Sequence, residues 1–479
     1  MSTAVVVAGG LLAAGYGLRA VLPALRRFFI PGAVVAGFLG FAIVQIGARF
    51  ESVAALGREW YDWPKWLISV VFAGMLLERP ATSFRDSARR AASAGIAAWV
   101  IIVGQIVLGL AVTWLILRPA FGTPIHFGQL LEVSWAGGFG SAAAWGTVHE
   151  KVGGLPAARD LAIFFAASGL LYGVVSGIVL VNLAARRGWT RESNSINDSK
   201  SNSGVGVSPT RNRVSEVRSG DAASQQSAWA RRPRHWLIPF TQVLILAAAF
   251  GAGFGLKWSL NRSAGAISPD LLRFIDHLPL FMFTLLGGLL VREVLHAVRL
   301  GWLINPKILA LLIRVAMDFV IVSALASMRL AKLVEYAWPS VILMIVGAVW
   351  CAVTLIWMSR RLLPREYWFE LGVINYGMAT ATTAQGMMLL RMIDKDLQSG
   401  AAEDYALAAP LSAPFIGGGI VTITLPILLQ RVHVLWVILC GTAVAVALYA
   451  LGRGLVRSAA PTGLLVSQEV QERHERVES

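Results

Sequence analysis

Long apolar runs constrain this chain more than any other feature. Stretches of roughly 17 to 28 residues with few charges lie at about 4–23, 30–48, 64–80, 90–117 and 158–184. Others lie at about 236–256, 276–292, 304–330, 338–359, 405–430 and 433–455. Runs of this length match the hydrocarbon thickness of a bilayer when they are helical. In lipid the backbone must satisfy its own hydrogen bonds, which helices do within one segment. Charged residues are 14% of the 479, against about 25% in soluble domains, so the composition excludes a soluble domain. The expected fold is an all-α polytopic membrane protein.

The formal net charge of +15 would suggest nucleic acid in a soluble protein. Here the basic residues gather in loops and in one linker, as cytoplasmic loop bias predicts, so no nucleic-acid partner is expected. Cys351 and Cys440 each sit inside an apolar run, which argues against a disulfide framework. The seven histidines have no metal-ligand spacing. No basic residue precedes the first apolar run, so it reads as a spanning helix and not as a cleaved signal.

Two stretches interrupt the apolar pattern. The first, within 129–150, contains WAGGFGSAAAWGT from Trp135 to Thr147; the second, within 369–392, contains YGMATATTAQG from Tyr376 to Gly386. Shifted by 239 positions, Gly138 falls on Gly377, Gly140 on Ala379, Ser141 on Thr380 and Ala142 on Ala381. Each stretch lies between the fourth and fifth helices of its half. Paired glycine-rich breaks in matching places point to the substrate site of a transporter.

Five crossings per half are an odd number, so the second half enters the membrane inverted. The expected organisation is a first repeat over 1–185, a disordered Ser-, Asn- and Gly-rich cytoplasmic linker over 186–234, and an inverted second repeat over 235–431. An extra helix at 432–456 and a cytoplasmic tail at 457–479 follow. With the N-terminus outside, 29 of the 42 Lys and Arg fall inside, the linker's included; the flipped orientation would leave the basic linker outside. This predicts a multi-pass membrane protein with its linker and tail in the cytoplasm.

Unwound backbone offers carbonyls to a cation, and half-helix N-termini offer N–H groups to an anion. Ser141, Thr147, Thr380, Thr382 and Thr383 add hydroxyls, and Gln385 adds a donor and an acceptor. Against this stands close packing by small residues, common in membrane bundles. Arg314 and Asp318 are spaced i, i+4, so they share a helix face and are expected to pair. Arg314 is a candidate for a substrate carboxylate and Asp318 for the coupling ion, with a structural ion pair as the competing reading. Ser134 and Asn375 are candidate half-helix caps. Glu132 is read at the membrane interface. Trp60, Trp63, Trp66, Trp338 and Tyr336 are read as an aromatic belt.

GGFGSAAAW at Gly137–Trp145 resembles the GGHGT-x-AAW signature of the sodium:glutamate symporter family, and Tyr376–Asp394 resembles that family's second re-entrant element. The resemblance implies an inverted-repeat, Na⁺-coupled amino-acid carrier, a homodimer, with no cofactor beyond the coupling ion. It places substrate binding on Gly137, Gly138, Gly140, Ser141, Trp145, Gly377, Thr380, Thr382 and Thr383. Gln385 and Arg314 join that set from the residues themselves. Ser141, Thr147, Thr380 and Asp318 are the ion-binding candidates. Phe139 stands where the family has His, and the extra helix and long linker also depart from its pattern.

The expected function is Na⁺-coupled import of glutamate or a related amino acid or carboxylate by alternating access. The alternatives are a proton-coupled organic anion transporter and a channel or receptor of similar architecture. An intramembrane enzyme is disfavoured: there is no HExxH, no GxSxG and no paired intramembrane carboxylate set.

Overall fold

The computed structural model describes residues 3–27, 30–75, 77, 88–152, 154–155, 157–190, 237–268, 272, 275, 280–395, 397–412, 415–417 and 419–458. Most of the linker and the C-terminal tail therefore lie outside the described residues. Those described form helices and connecting turns with no strand. Eight of the helices are long and apolar enough to cross a membrane.

In chain order the main helices begin with α1 (Thr3–Val21), α2 (Gly32–Ile46), α3 (Glu51–Met75), α4 (Ala88–Val112) and α5 (Gly138–Val152). Then come α6 (Ala158–Arg186), α7 (Leu237–Ile267), α8 (Leu280–Ala297), α9 (Pro306–Ala326) and α10 (Ala337–Val353). The last are α11 (Trp368–Thr380), α12 (Thr383–Ile393), α13 (Ala401–Ser412), α14 (Ile420–Arg431) and α15 (Val434–Ser458). Two spans end in wide turns: α4 runs on through Thr113–Leu117, and α10 through Thr354–Met358.

These helices pack as two groups. Helices α1, α2, α3, α7, α8 and α9 form one bundle. Glycines let its backbones touch: a side chain on Gly15 would meet Gly32 and Ala36, one on Gly253 would meet Thr284, and one on Gly288 would meet the Ala73 carbonyl. Close approach of this kind replaces the hydrophobic drive that lipid does not supply. Helices α4, α5, α6 and α10–α15 form the second bundle. The extra helix α15 lies along α4, with Gly441 against Val107 and Gly452 against Ile96.

The bundles meet along α5. Its small face packs on α3, α8 and α9: Gly140 abuts Ile68 and Met317, and Ala144 and Val148 join Ile68, Val71 and Phe281 in one apolar cluster. At one end of this seam polar residues cross it. Asp160, at the start of α6, is 2% exposed and accepts from the backbone N–H of Arg329 at 3.2 Å and from its Nε at 2.9 Å. Arg159 reaches the Tyr61 carbonyl, stacks over the Tyr61 ring, and donates to Ser327 at 3.4 Å.

Several sequence expectations change. The third helix starts at Glu51, well before the apolar run at 64–80, because its first turns are amphipathic and pack on the bundle. The span expected at 405–430 is two helices, α13 and α14, separated by non-helical backbone at Phe415, Ile416, Gly417 and Gly419; Gly417 has φ +65°. Trp60 is no belt residue: it is 1% exposed and donates to the Ala4 carbonyl at 3.2 Å. Trp66 and Trp338 are exposed, as a belt requires.

Candidate functional site

The first break begins with a short 3-10 turn at Ile125–Gln129 and a wide helical turn at Glu132–Ala136. The Gly137 N–H closes that wide turn on the Glu132 carbonyl at 3.0 Å. Gly138 then takes φ +67° and starts α5. An L side chain rarely adopts this conformation. A Cβ here would also lie 3.0 Å from the Ala381 carbonyl oxygen, in the second break.

At the second break α11 stops at Thr380. The N–H groups of Ala381 and Thr382 both turn back to the Gly377 carbonyl, at 3.0 and 3.1 Å. Thr382 is extended, and its hydroxyl accepts from the Gln385 N–H at 3.3 Å, capping α12. The Ala379 carbonyl near the end of α11 is satisfied by Gln105 of α4 at 2.8 Å. The N-termini of two half-helices, α5 and α12, thereby converge on one place from different halves of the chain. Each carries unpaired first-turn N–H groups and the positive end of a helix dipole.

A cavity of about 120 Å³ opens beside this meeting point. Ala136 of the first break, Met378 and Thr383 of the second, Ala98 and Ile102 of α4, Tyr405 of α13 and Gly417 all line it. Its polar equipment is neutral: the hydroxyls of Thr383 and Tyr405 lie 2.9 Å apart. Among the described residues, no charged side chain lines it. The groups it offers an anion are N–H groups and hydroxyls, not basic side chains.

The sequence candidates divide. Gly138, Thr382 and Thr383 lie where the breaks meet, and Ser141, one turn into α5, donates to the Gly417 carbonyl at 3.2 Å. The others lie in packed or internally bonded surroundings. Trp145 is fully buried and donates its indole N–H to Gln129 at 3.0 Å. Thr147 is bonded to the Ala144 carbonyl at 2.7 Å, and Thr380 to that of Tyr376 at 2.9 Å. Gly137 sits inside its own turn against Val133 and Ser141. Gly140 faces the other bundle, and Gly377 abuts the Gly386 backbone, so that α11 and α12 lie in contact. Gln385 is 6% exposed and faces Gly173 of α6, as Thr380 does.

Arg314 and Asp318 do not form the expected pair. Among the described residues no ion pair joins them; Arg314 is exposed, and Asp318 instead accepts from the Tyr16 hydroxyl of α1 at 2.8 Å. Their shared face turns toward α1, away from the cavity's lining. Neither predicted cap holds: Asn375 lies inside α11 and Ser134 inside the wide turn, and the cap of α12 is Thr382. Phe139 is buried in the main apolar core.

Sequence reasoning missed two features. Gly169, Gly173 and Gly177 form a stripe on α6 against which Trp135, Thr380, Gln385 and Leu389 pack; its four-residue spacing was readable as a packing motif. Glu132, expected at the interface, is 0% exposed. Its Oε1 accepts from the Thr422 hydroxyl at 2.6 Å and from the Gly417 N–H at 3.0 Å. A signal was available: Glu370 opens the second break near the matching position, and it too is buried.

The sodium/glutamate symporter family model matches residues 1–217 of this chain. The match takes in α1 to α6, and with them the whole first break. No curated protein and no solved structure matches the chain. Over that stretch the protein is sodium/glutamate symporter-like, and the family is one of transporters, not enzymes.

Proposed function

We propose, from the family match over residues 1–217, that this protein is a secondary transporter coupling Na⁺ entry to import of glutamate or a related amino acid or carboxylate. The observation that carries the reading is the convergence of the α5 and α12 N-termini at Gly138 and Ala381–Thr383, beside a small cavity. Backbone N–H groups and two positive dipole ends hold a carboxylate without a basic side chain. The Thr383 and Tyr405 hydroxyls supply the remaining polar contacts.

In this reading the substrate site is Gly138, Ser141, Thr382 and Thr383, with Tyr405 added. The two halves are inverted repeats, the protein is a homodimer in the bacterial inner membrane, and the linker and tail are cytoplasmic. Alternating access is a movement of the α4–α6 and α10–α15 bundle along the other. The small face of α5 at Gly140 and Ala144 is suited to slide over Ile68 and Met317. The Asp160–Arg329 pair and the Arg159 contacts with Tyr61 and Ser327 hold the two bundles at one end of their seam.

The test is uptake of radiolabelled glutamate into proteoliposomes with an inward Na⁺ gradient, beside Li⁺, K⁺ and pH-gradient controls. Saturable uptake that needs Na⁺ is the expected result. Uptake of other carboxylates but not glutamate would overturn the substrate, and uptake indifferent to every cation gradient would overturn the coupling.

A further inference from the structure

Glu132 sits at a junction that the first break alone does not explain. It occupies the wide turn before Gly138, yet its carboxylate reaches across to the interrupted span between α13 and α14. There it meets two groups 285 and 290 residues further on, the Gly417 N–H and the Thr422 hydroxyl. Ser141 joins the same place from α5, donating to the Gly417 carbonyl. Glu132 and Thr422 are each 0% exposed, and Ser141 is 5% exposed.

We propose that Glu132, Thr422, Ser141 and the Gly417 carbonyl form a binding site for Na⁺. This rests on the transporter reading above and supplies the coupling ion's seat. A carboxylate at membrane depth is costly to keep ionised and is a functional candidate by default. A bound monovalent cation offsets that cost. The donor set is all oxygen, from one carboxylate, two hydroxyls and one backbone carbonyl, which suits a hard cation and no soft metal. The backbone is locally unwound on both sides: a wide turn carries Glu132, and Gly417, at φ +65°, turns its N–H toward Glu132 while its carbonyl accepts from Ser141. Such interruptions are how transporters present carbonyls to Na⁺.

The placement also gives the ion leverage on the substrate. Gly417 lines the cavity, and Ala136, four residues after Glu132, lines it too. A cation seated between Glu132 and Gly417 fixes two walls of the cavity at once and leaves the second break's wall, at Met378 and Thr383, untouched. Ordering of the pocket by the ion before the substrate arrives is positive coupling between two sites.

The experiment uses the full-length protein purified in detergent, with NaCl exchanged for choline chloride at constant ionic strength. Thermal unfolding is followed without substrate, so the readout does not depend on which substrate is carried. A cation that binds only the folded state raises Tm with its concentration. The wild type is expected to show a saturable Na⁺-dependent rise. Glu132→Gln, which keeps shape and an acceptor oxygen, is expected to abolish that rise while unfolding near the wild-type temperature in choline. Thr422→Val is expected to weaken the apparent Na⁺ affinity about tenfold, and it serves alone if Glu132→Gln does not fold. Retention of the full Na⁺ response by both variants would overturn the site. So would a wild type that answers to acid but not to Na⁺. A Na⁺ response lost in Glu132→Gln, in a protein that takes up no glutamate, would leave the site standing and overturn only the substrate reading.

Discussion

At the first break the backbone is held open by a wide turn, a left-handed glycine and a buried carboxylate that reaches another part of the chain. At the second, glycine contacts and neutral hydrogen bonds hold it. Both breaks deliver a half-helix N-terminus to the same place. The second does so with fixed geometry: Gly377 on Gly386, Thr382 capping α12, Gln105 on the Ala379 carbonyl, and Thr380 and Gln385 pressed on Gly173. The first does so through Glu132, whose carboxyl accepts from the Gly417 N–H and the Thr422 hydroxyl. A carboxyl responds to an ion and a packed glycine contact does not. With Na⁺ seated at Glu132 as proposed above, ion response belongs to the first break and the second is a packed wall.

The sharpest way to break this comparison is to disturb the packed side. A Cβ on Gly377 would lie 2.3 Å from the Gly386 Cα. Gly377→Ala is expected to cost about 1–3 kcal/mol, to lower Tm measurably and to remove most Na⁺-driven uptake. Unchanged Tm would mean that the second break is not held by packing. Gly138→Ala tests the first break at its tip. Forcing a side chain into φ +67° costs about 1–2 kcal/mol, and the added atom also crowds the Ala381 carbonyl. Uptake is expected to fall about tenfold, with a smaller loss of Tm than in Gly377→Ala.

The cap of α12 is next. Thr382→Ala removes an acceptor worth about 1 kcal/mol and is expected to raise the substrate KM roughly fivefold with kcat nearly kept. Loss of kcat instead would place Thr382 in the movement and not in binding. The smallest effect belongs to Arg314. It is exposed and does not line the cavity, so Arg314→Gln is expected to leave KM within about twofold, as surface substitutions usually do. A tenfold rise in KM would return Arg314 to the substrate site.

Much of the architecture was legible because its causes are local. Hydropathy over a window fixes which segments enter lipid, and glycines next to small hydroxyl residues mark where a helix gives way. The two breaks, their matching order and the extra helix came from such signals. The interruption at Phe415–Gly417 and Gly419 was hidden because a long apolar run reads as continuous even with two glycines inside it. The sorting of site residues was not legible either. Thr380 and Thr383 look alike in sequence, yet they lie on opposite sides of a two-residue turn, one on α6 and one on the cavity.

By itself, then, the sequence determined that this chain is a helical membrane protein with two glycine-rich interruptions, because burial in lipid and backbone freedom are properties of short segments. Only the tertiary structure decided that Gly138 meets Ala381, that Glu132 reaches Thr422 and that Asp318 turns to Tyr16. Those contacts join residues 243 to 302 positions apart. No local pattern specifies them, since they depend on how whole helices cross and on which small residues let two backbones approach.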